Sequence, residues 1–386
     1  MLRKMTDSKK YNNIKLASGI FEGIAGFILL LLFVSLGYSK LLEQLLTGYI
    51  HNNYLLFLAY IACIAVASAV VFSPLGFYTS FYLEHKYNLS NQTFGAYLWE
   101  NTKGIMVGTV IGVPLLLLFY YVMNVFGNLW WLPFATIMFL VSVVLARIAP
   151  VVIMPLFFKV TPIDNIELKE RITLLAAKAG VKVENVFKFD MSKDTKKANA
   201  AFTGLGKSKR ILLGDTLLDG FTTDEIETVI GHELGHYKHK HIIKNIIIGT
   251  AASFLTLFLI ACLYRISLPV FGFNSILQIS ALPLIALWGT VISLIETPLT
   301  NMLSRKYEYQ ADEYAVTETK KPAAFINTLN KLTDQNLGDK DPHPFVEWYY
   351  YSHPSIKKRI AAIVNFCKIN NILFEENYRE ENNIKE

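Results

Sequence analysis

Long apolar runs separated by short polar stretches dominate the first 158 positions. They cover about Ile20 to Leu36, Tyr54 to Phe81, Gly104 to Met123 and Leu129 to Phe158, each long enough to cross a bilayer as a helix. The second and fourth exceed what a bilayer needs and contain Pro74, Pro150 and Pro155, so tilting or kinking is expected. Gly104, Gly108 and Gly112, four apart, predict close helix packing in the third run. From about Lys159 to Lys244 polar residues take over. Here Ile166 to Ala179 has helical spacing and stops at Gly180. Val183 to Phe189, Ala198 to Thr203 and Lys209 to Leu213 read as strands, with a turn at Gly204 to Ser208 between the last two. A capping box, Thr222-Thr-Asp-Glu225, then opens a helix. No proline occurs between Thr222 and Leu268, so this helix is expected to run unbroken into a fifth apolar run, about Ile246 to Tyr264. A sixth, about Ile276 to Leu294, leads through Pro298 into a polar C-terminal segment.

This pattern predicts a mainly α, polytopic membrane protein with about six transmembrane helices and a small α+β part outside the bilayer. It divides the chain into 1–158, 159–243, 244–303 and 304–386. Loop charge orients it. The N-terminus, the Glu84 to Lys103 loop, the polar part and the C-terminal segment are rich in Lys and Arg, whereas the alternate connections are nearly uncharged. The positive-inside rule then puts both termini and the polar part in the cytoplasm. Composition agrees: 53% of the 386 residues are hydrophobic and 18% charged, against about a quarter charged in soluble domains. A net charge of +6 without a block of basic residues in the apolar parts fits membrane lipid as a partner and argues against nucleic acid. Cys63, Cys262 and Cys367 show no C-x-x-C spacing, so neither a disulfide framework nor a cysteine metal site is expected.

The candidate chemistry lies in His232-Glu233-Leu-Gly-His236. Histidines four apart on a helix share a face, so both imidazoles can reach one zinc ion while Glu233 holds and deprotonates a water. A catalytic zinc needs a third protein ligand. Glu308 is the best candidate, and Asp312, one turn on, can hold the distal nitrogen of a ligating histidine. Without the motif, Glu308 and Asp312 would read as surface charges beside Arg305 and Lys306. Glu22 and Glu296 are ionisable groups in or at apolar runs, open to a functional role or to pairing with Arg147 or a tyrosine hydroxyl. His239 and His241, among Lys238, Lys240 and Lys244, read as interfacial charge. On spacing alone His353 is a lone loop histidine.

The residues also resemble a known family, the integral-membrane zinc metalloproteases of the type 1 CAAX prenyl protease group. The matching blocks are Glu84 to Thr93, Pro155 to Pro162, Asn199-Ala-Ala-Phe-Thr-Gly204, Lys209 to Leu218, the His232 to His236 motif, Ser304 to Asp312 and Ser352-His-Pro354, in family order. The resemblance implies a single zinc ion per chain held by His232, His236 and Glu308, with Glu233 as general base and Asp312 behind the ligands. It further implies that Asn199 and His353 steady the substrate carbonyl, and that Arg359 helps bind the substrate terminus. The transmembrane helices would enclose an intramembrane chamber, with a zincin-like catalytic part on the cytoplasmic side. The peptide or protein substrate, C-terminally prenylated in this family, would lie extended along the strand edge at Asn199 to Thr203, against Ala201 and Phe202. The membrane would be the cytoplasmic membrane of a bacterium or the endoplasmic reticulum of a eukaryote. Members of this group normally have seven spans, and by the resemblance this chain would begin near the second. Two aromatic positions of the strand motifs hold Ala201 and Gly214 here, which would widen the substrate groove.

Two other readings are open to the same residues. Heat-shock-type membrane quality-control proteases share the zinc motif, but generally carry two spans before it where four are read here. A polytopic transporter or scaffold with a residual zinc site would rest on Glu22 and Glu296.

Overall fold

The computed structural model describes residues 6–181, 186–203 and 210–374. Among them, six helices are long and apolar enough to cross a membrane: Asp7–Ser35, Asn53–Lys86, Phe94–Leu129, Trp131–Phe157, His241–Ser267 and Ile279–Thr319. They coincide with the six apolar runs. The prolines act as expected, since π turns form at Tyr78–Tyr82, just after Pro74, and at Ala149–Ile153, around Pro150.

The spans meet at one end through an apolar cluster that includes Phe57, Tyr60, Tyr120, Trp130, Tyr264 and Leu284. Phe57 stacks on Tyr120 at 4.8 Å. At the same end Lys40 donates to the Gly272 carbonyl at 2.7 Å, and the Glu43 carboxylate accepts from the backbone N–H groups of Ile279 and Ser280. Farther along, burial is sparse. Between 6% and 17% of the most apolar stretch is buried in each of the first five spans, against 44% in the sixth. The expected packing at Gly104, Gly108 and Gly112 is corrected: a Cβ at any of them would meet nothing within 4 Å. Most side chains along the first five spans are thus open to the membrane or to the space between helices.

The opposite end gathers the polar parts. Glu84, 8% exposed, accepts from the Tyr11 hydroxyl at 2.5 Å and pairs with Lys15 at 2.7 Å and Lys197 at 2.8 Å. First span, second span and the approach to the sheet are thereby tied together. Asn12 reaches the Leu337 carbonyl at 2.8 Å, so the described ends of the chain share this side, as six spans require.

A four-stranded sheet lies here, with β1 (Val160–Pro162), β2 (Val186–Phe189), β3 (Ala200–Thr203) and β4 (Arg210–Gly214) in the order β1-β2-β4-β3. β2 and β4 run parallel, and the other pairings are antiparallel. β1 was not read from the sequence; three residues ending in Pro162 make a strand only at a sheet edge, where a missing N–H is tolerated. The expected beginning of β2 and the Gly204 to Ser208 turn fall outside the described residues. Val186, Ile211 and Leu213 pack on Leu168, Ile172 and Leu175 of the helix Ile166–Lys178, and on Ile226, Ile230 and Leu234 of the motif helix.

The motif helix spans Thr223–Lys238 and starts with both bonds of the capping box. It does not run on into the membrane. Lys240 takes a left-handed conformation (φ 57°, ψ 31°) and a new helix starts at His241, although nothing in the local sequence breaks the helix. The sixth span continues as one helix, Pro283–Thr319, past Pro298 and out to the motif helix. The two cross closely because of glycine. A Cβ on Gly235 would lie 2.8 Å from the Ala311 Cα, and one on Gly231 would lie 3.3 Å from the Ala315 Cα. Gly235→Val should therefore force the helices apart at a cost of roughly 1–3 kcal/mol. The thermal midpoint of the purified protein should fall, while Gly76→Ala, where a Cβ meets nothing within 4 Å, should leave it unchanged.

Candidate active site

Where the motif helix crosses the sixth span, three donors converge. His232 Nε2 and His236 Nε2 are 3.2 Å apart; Glu308 Oε1 lies 3.3 Å from the latter and Oε2 3.5 Å from the former. A tetrahedral zinc with bonds of about 2.0–2.2 Å places its ligand atoms about 3.3–3.5 Å from one another, so these atoms fit such an ion. The carboxylate argues the same way. Glu308 is 4% exposed, and its Oε2 is buried with no hydrogen-bond partner among the described residues. A buried carboxylate oxygen without a hydrogen-bond donor is costly unless a cation meets it, and Arg359 Nη1, at 3.6 Å, stands beyond hydrogen-bond reach.

Behind His232 stands a charged pair. Asp312 Oδ1 lies 2.8 Å from His232 Nδ1, which fixes the ring with Nε2 toward the other two donors. Arg359, from the helix Ile356–Ile369, donates twice to Asp312, from Nε at 2.8 Å and from Nη2 at 2.5 Å. Asp312 is 1% and Arg359 8% exposed. Arg359, expected at the substrate terminus, thus has its guanidinium turned inward onto Asp312. Burial opposes the charge on both His232 and Arg359, but neighbouring carboxylates outweigh it and raise both above their ordinary values: Asp312 and Glu308 for His232, with Glu233 added for Arg359. The pocket favours positive charge.

Behind His236 the arrangement is neutral. Its Nδ1 is 3.0 Å from His241 Nδ1, and His241 Nε2 is 2.9 Å from Gln310 Oε1. His241 is 1% exposed, which corrects its reading as interfacial charge. The sequence concealed this because a continuous helix would carry a residue five positions past His236 about 140° round the axis. The left-handed Lys240 folds it back.

Glu233 is half-buried beside the edge strand, where Phe202 N–H donates to its Oε2 at 3.3 Å. Ala201 and Phe202 lie in β3, half-buried, the Phe202 ring set edge-on to Tyr237 at 5.5 Å. Asn199 is exposed just before β3, its carbonyl accepting from Gly214 N–H at 2.9 Å. The expected widening at Gly214 does not occur, since a Cβ there would sit 2.3 Å from the Met191 sulfur, which fills the space. His353 Nε2 comes within 3.5 Å of Glu308 Oε1 while the side chain stays 62% exposed. Its loop is pinned by Arg305, which donates to the carbonyls of Glu347 and Tyr351, and by the Glu347 carboxylate, which accepts from Ser355 N–H. Glu22 is exposed on the first span, and Glu296 accepts from Thr256 rather than from Arg147 or a tyrosine.

Comparison with known proteins identifies the family. The family model described as Peptidase family M48 matches residues 162–366, and that described as CAAX prenyl protease N-terminal, five membrane helices, matches residues 2–159. CAAX prenyl protease 1 of Saccharomyces cerevisiae is 32% identical over 79% of this chain and 71% of its own length. An uncharacterized metalloprotease of Bacillus subtilis, YhfN, is 30% identical over 92% of this chain and 84% of its own. The crystal structure of S. mikatae Ste24p superposes with a TM-score of 0.83, at 29% identity over 92% of this chain and 88% of that one. The chain therefore belongs to the M48 CAAX prenyl protease family and is a multi-pass membrane metalloendopeptidase of that type.

Proposed function

We propose that His232, His236 and Glu308 hold one zinc ion per chain, and that Glu233 is the general base of a peptide-bond hydrolysis carried out at the cytoplasmic face of the membrane. The observation that supports this reading is the spacing of the three donors around a buried Glu308 oxygen that accepts no hydrogen bond, with Arg359 Nη1 no nearer than 3.6 Å. When bound, zinc supplies a Lewis acid for the scissile carbonyl and lowers the pKa of a water molecule. Glu233 takes a proton from the attacking water and returns it to the leaving amine. His353 and Asn199 donate to the carbonyl oxygen as it gains negative charge. Asp312 holds His232 in the tautomer whose Nε2 is free to bind metal, and Arg359 keeps Asp312 ionised and fixed.

The substrate peptide adds a strand at β3, the end strand of the sheet beyond β4, so main-chain bonds along Ala201 and Phe202 hold it across Glu233. An isoprenyl group on the C-terminal cysteine of such a peptide would find apolar surroundings between the spans, where burial is sparse. The basic loops support the cytoplasmic orientation. The functional parts correspond to residues 1–158, 159–243, 244–303 and 304–386, with the zinc site built from the second and fourth.

Glu233→Gln should lower kcat by about 10²–10⁴-fold while the protein retains its zinc; unchanged turnover would remove Glu233 from the chemistry. A farnesylated CAAX peptide should be cleaved well ahead of its unprenylated twin. Equal cleavage of the two would favour the quality-control reading.

A further inference from the structure

We propose that His241, held by Gln310, is a positioning residue that fixes the orientation and tautomer of His236. The inference rests on the assignment of His236 as a metal ligand. With His236 Nε2 facing Glu308 and His232, its Nδ1 carries the proton and donates to His241 Nδ1 at 3.0 Å. His241 must then carry its own proton on Nε2, which faces an acceptor, Gln310 Oε1, at 2.9 Å. Each bond thus settles the next.

Two further observations set His241 apart from a packed ring. It is reached through Lys240, a left-handed non-glycine residue, a conformation that costs about 1 kcal/mol or more. It also lies flat on Tyr307, centroids 4.0 Å apart and planes 11° from parallel, which holds the plane of its ring. The groups facing it come from three helices: His236 and the capping His239 from the motif helix, Gln310 and Tyr307 from the sixth span, and Lys244 from the first turn of the fifth. Gln310 stands two residues beyond Glu308, so the sixth span both presents a ligand and orients a second one through His241. His232 is backed by a carboxylate and His236 by a neutral imidazole, so the two ligands are held by different means.

The test is the rate at which the purified full-length protein gives up zinc to excess chelator, which needs no substrate. His241→Phe keeps the stack on Tyr307 but leaves the His236 N–H without an acceptor, and should weaken zinc binding about 10–100-fold. His241→Asn, whose side-chain oxygen falls near the position of Nδ1, should recover most of the loss. Zinc release from His241→Phe at the wild-type rate would overturn the proposal, and so would His241→Asn releasing zinc as fast as His241→Phe, which would reduce the role to ring packing. If His241→Phe does not fold, Gln310→Leu takes its place: faster release upholds the proposal and an unchanged rate overturns it. Absence of zinc from the wild-type protein would overturn the metal site itself along with the role of His241. Zinc bound but indifferent to these variants would overturn the role of His241 alone.

Discussion

The close crossing of the motif helix and the sixth span, glycine against alanine at Gly235 and Ala311 and again at Gly231 and Ala315, is the contact on which the site depends. Neither helix holds three metal donors. His232 and His236 belong to one and Glu308 to the other, and the close approach at the glycines brings the Glu308 oxygens to 3.3 and 3.5 Å from the two imidazoles. Because the sixth span is a single helix from the bilayer to Thr319, its placement among the other spans sets the position of Glu308. On the proposed zinc site, membrane packing and metal geometry would be one problem, met at two ends of a 37-residue helix.

Charge completes what the crossing begins. Three carboxylates, Glu233, Glu308 and Asp312, converge on one small region, and Arg359 alone does not balance them. A divalent cation would, and Glu308 Oε2, which accepts no hydrogen bond, lies 3.5 Å from His232 Nε2. The C-terminal segment, far along the chain from the motif, thus contributes twice: Arg359 braces Asp312 from the protein side, and His353 overhangs Glu308 from the open side. β3 borders this layer, and its Phe202 N–H donates to Glu233.

Much of this was legible in the sequence, for local reasons. Runs of eighteen or more apolar residues have few alternatives to crossing a membrane, and the Thr222 to Glu225 capping box fixed the start of the motif helix to the residue. What escaped depended on tertiary partners. No proline or glycine announces the break at Lys240, which is held by the burial of His241 between His236, Gln310 and Tyr307. The Gly214 position looked like an opening until Met191, from another element, was found to occupy it. An arginine on a C-terminal helix reads as solvated or substrate-facing unless the buried carboxylate opposite is known, and Asp312 lies 47 residues away. The glycines of the third span have the spacing of a packing motif, but among the described residues nothing lies within 4 Å of a Cβ at any of them.

The central claim is that one zinc ion is held jointly by the motif helix and the sixth span. Zinc K-edge X-ray absorption on the purified full-length protein and its Glu308→Ala variant tests it directly. The predicted result is one zinc per chain with two imidazoles and oxygen ligands in the wild type, and loss of the ion or of a carboxylate from its shell in the variant. The same zinc content and the same spectrum in both proteins would contradict it.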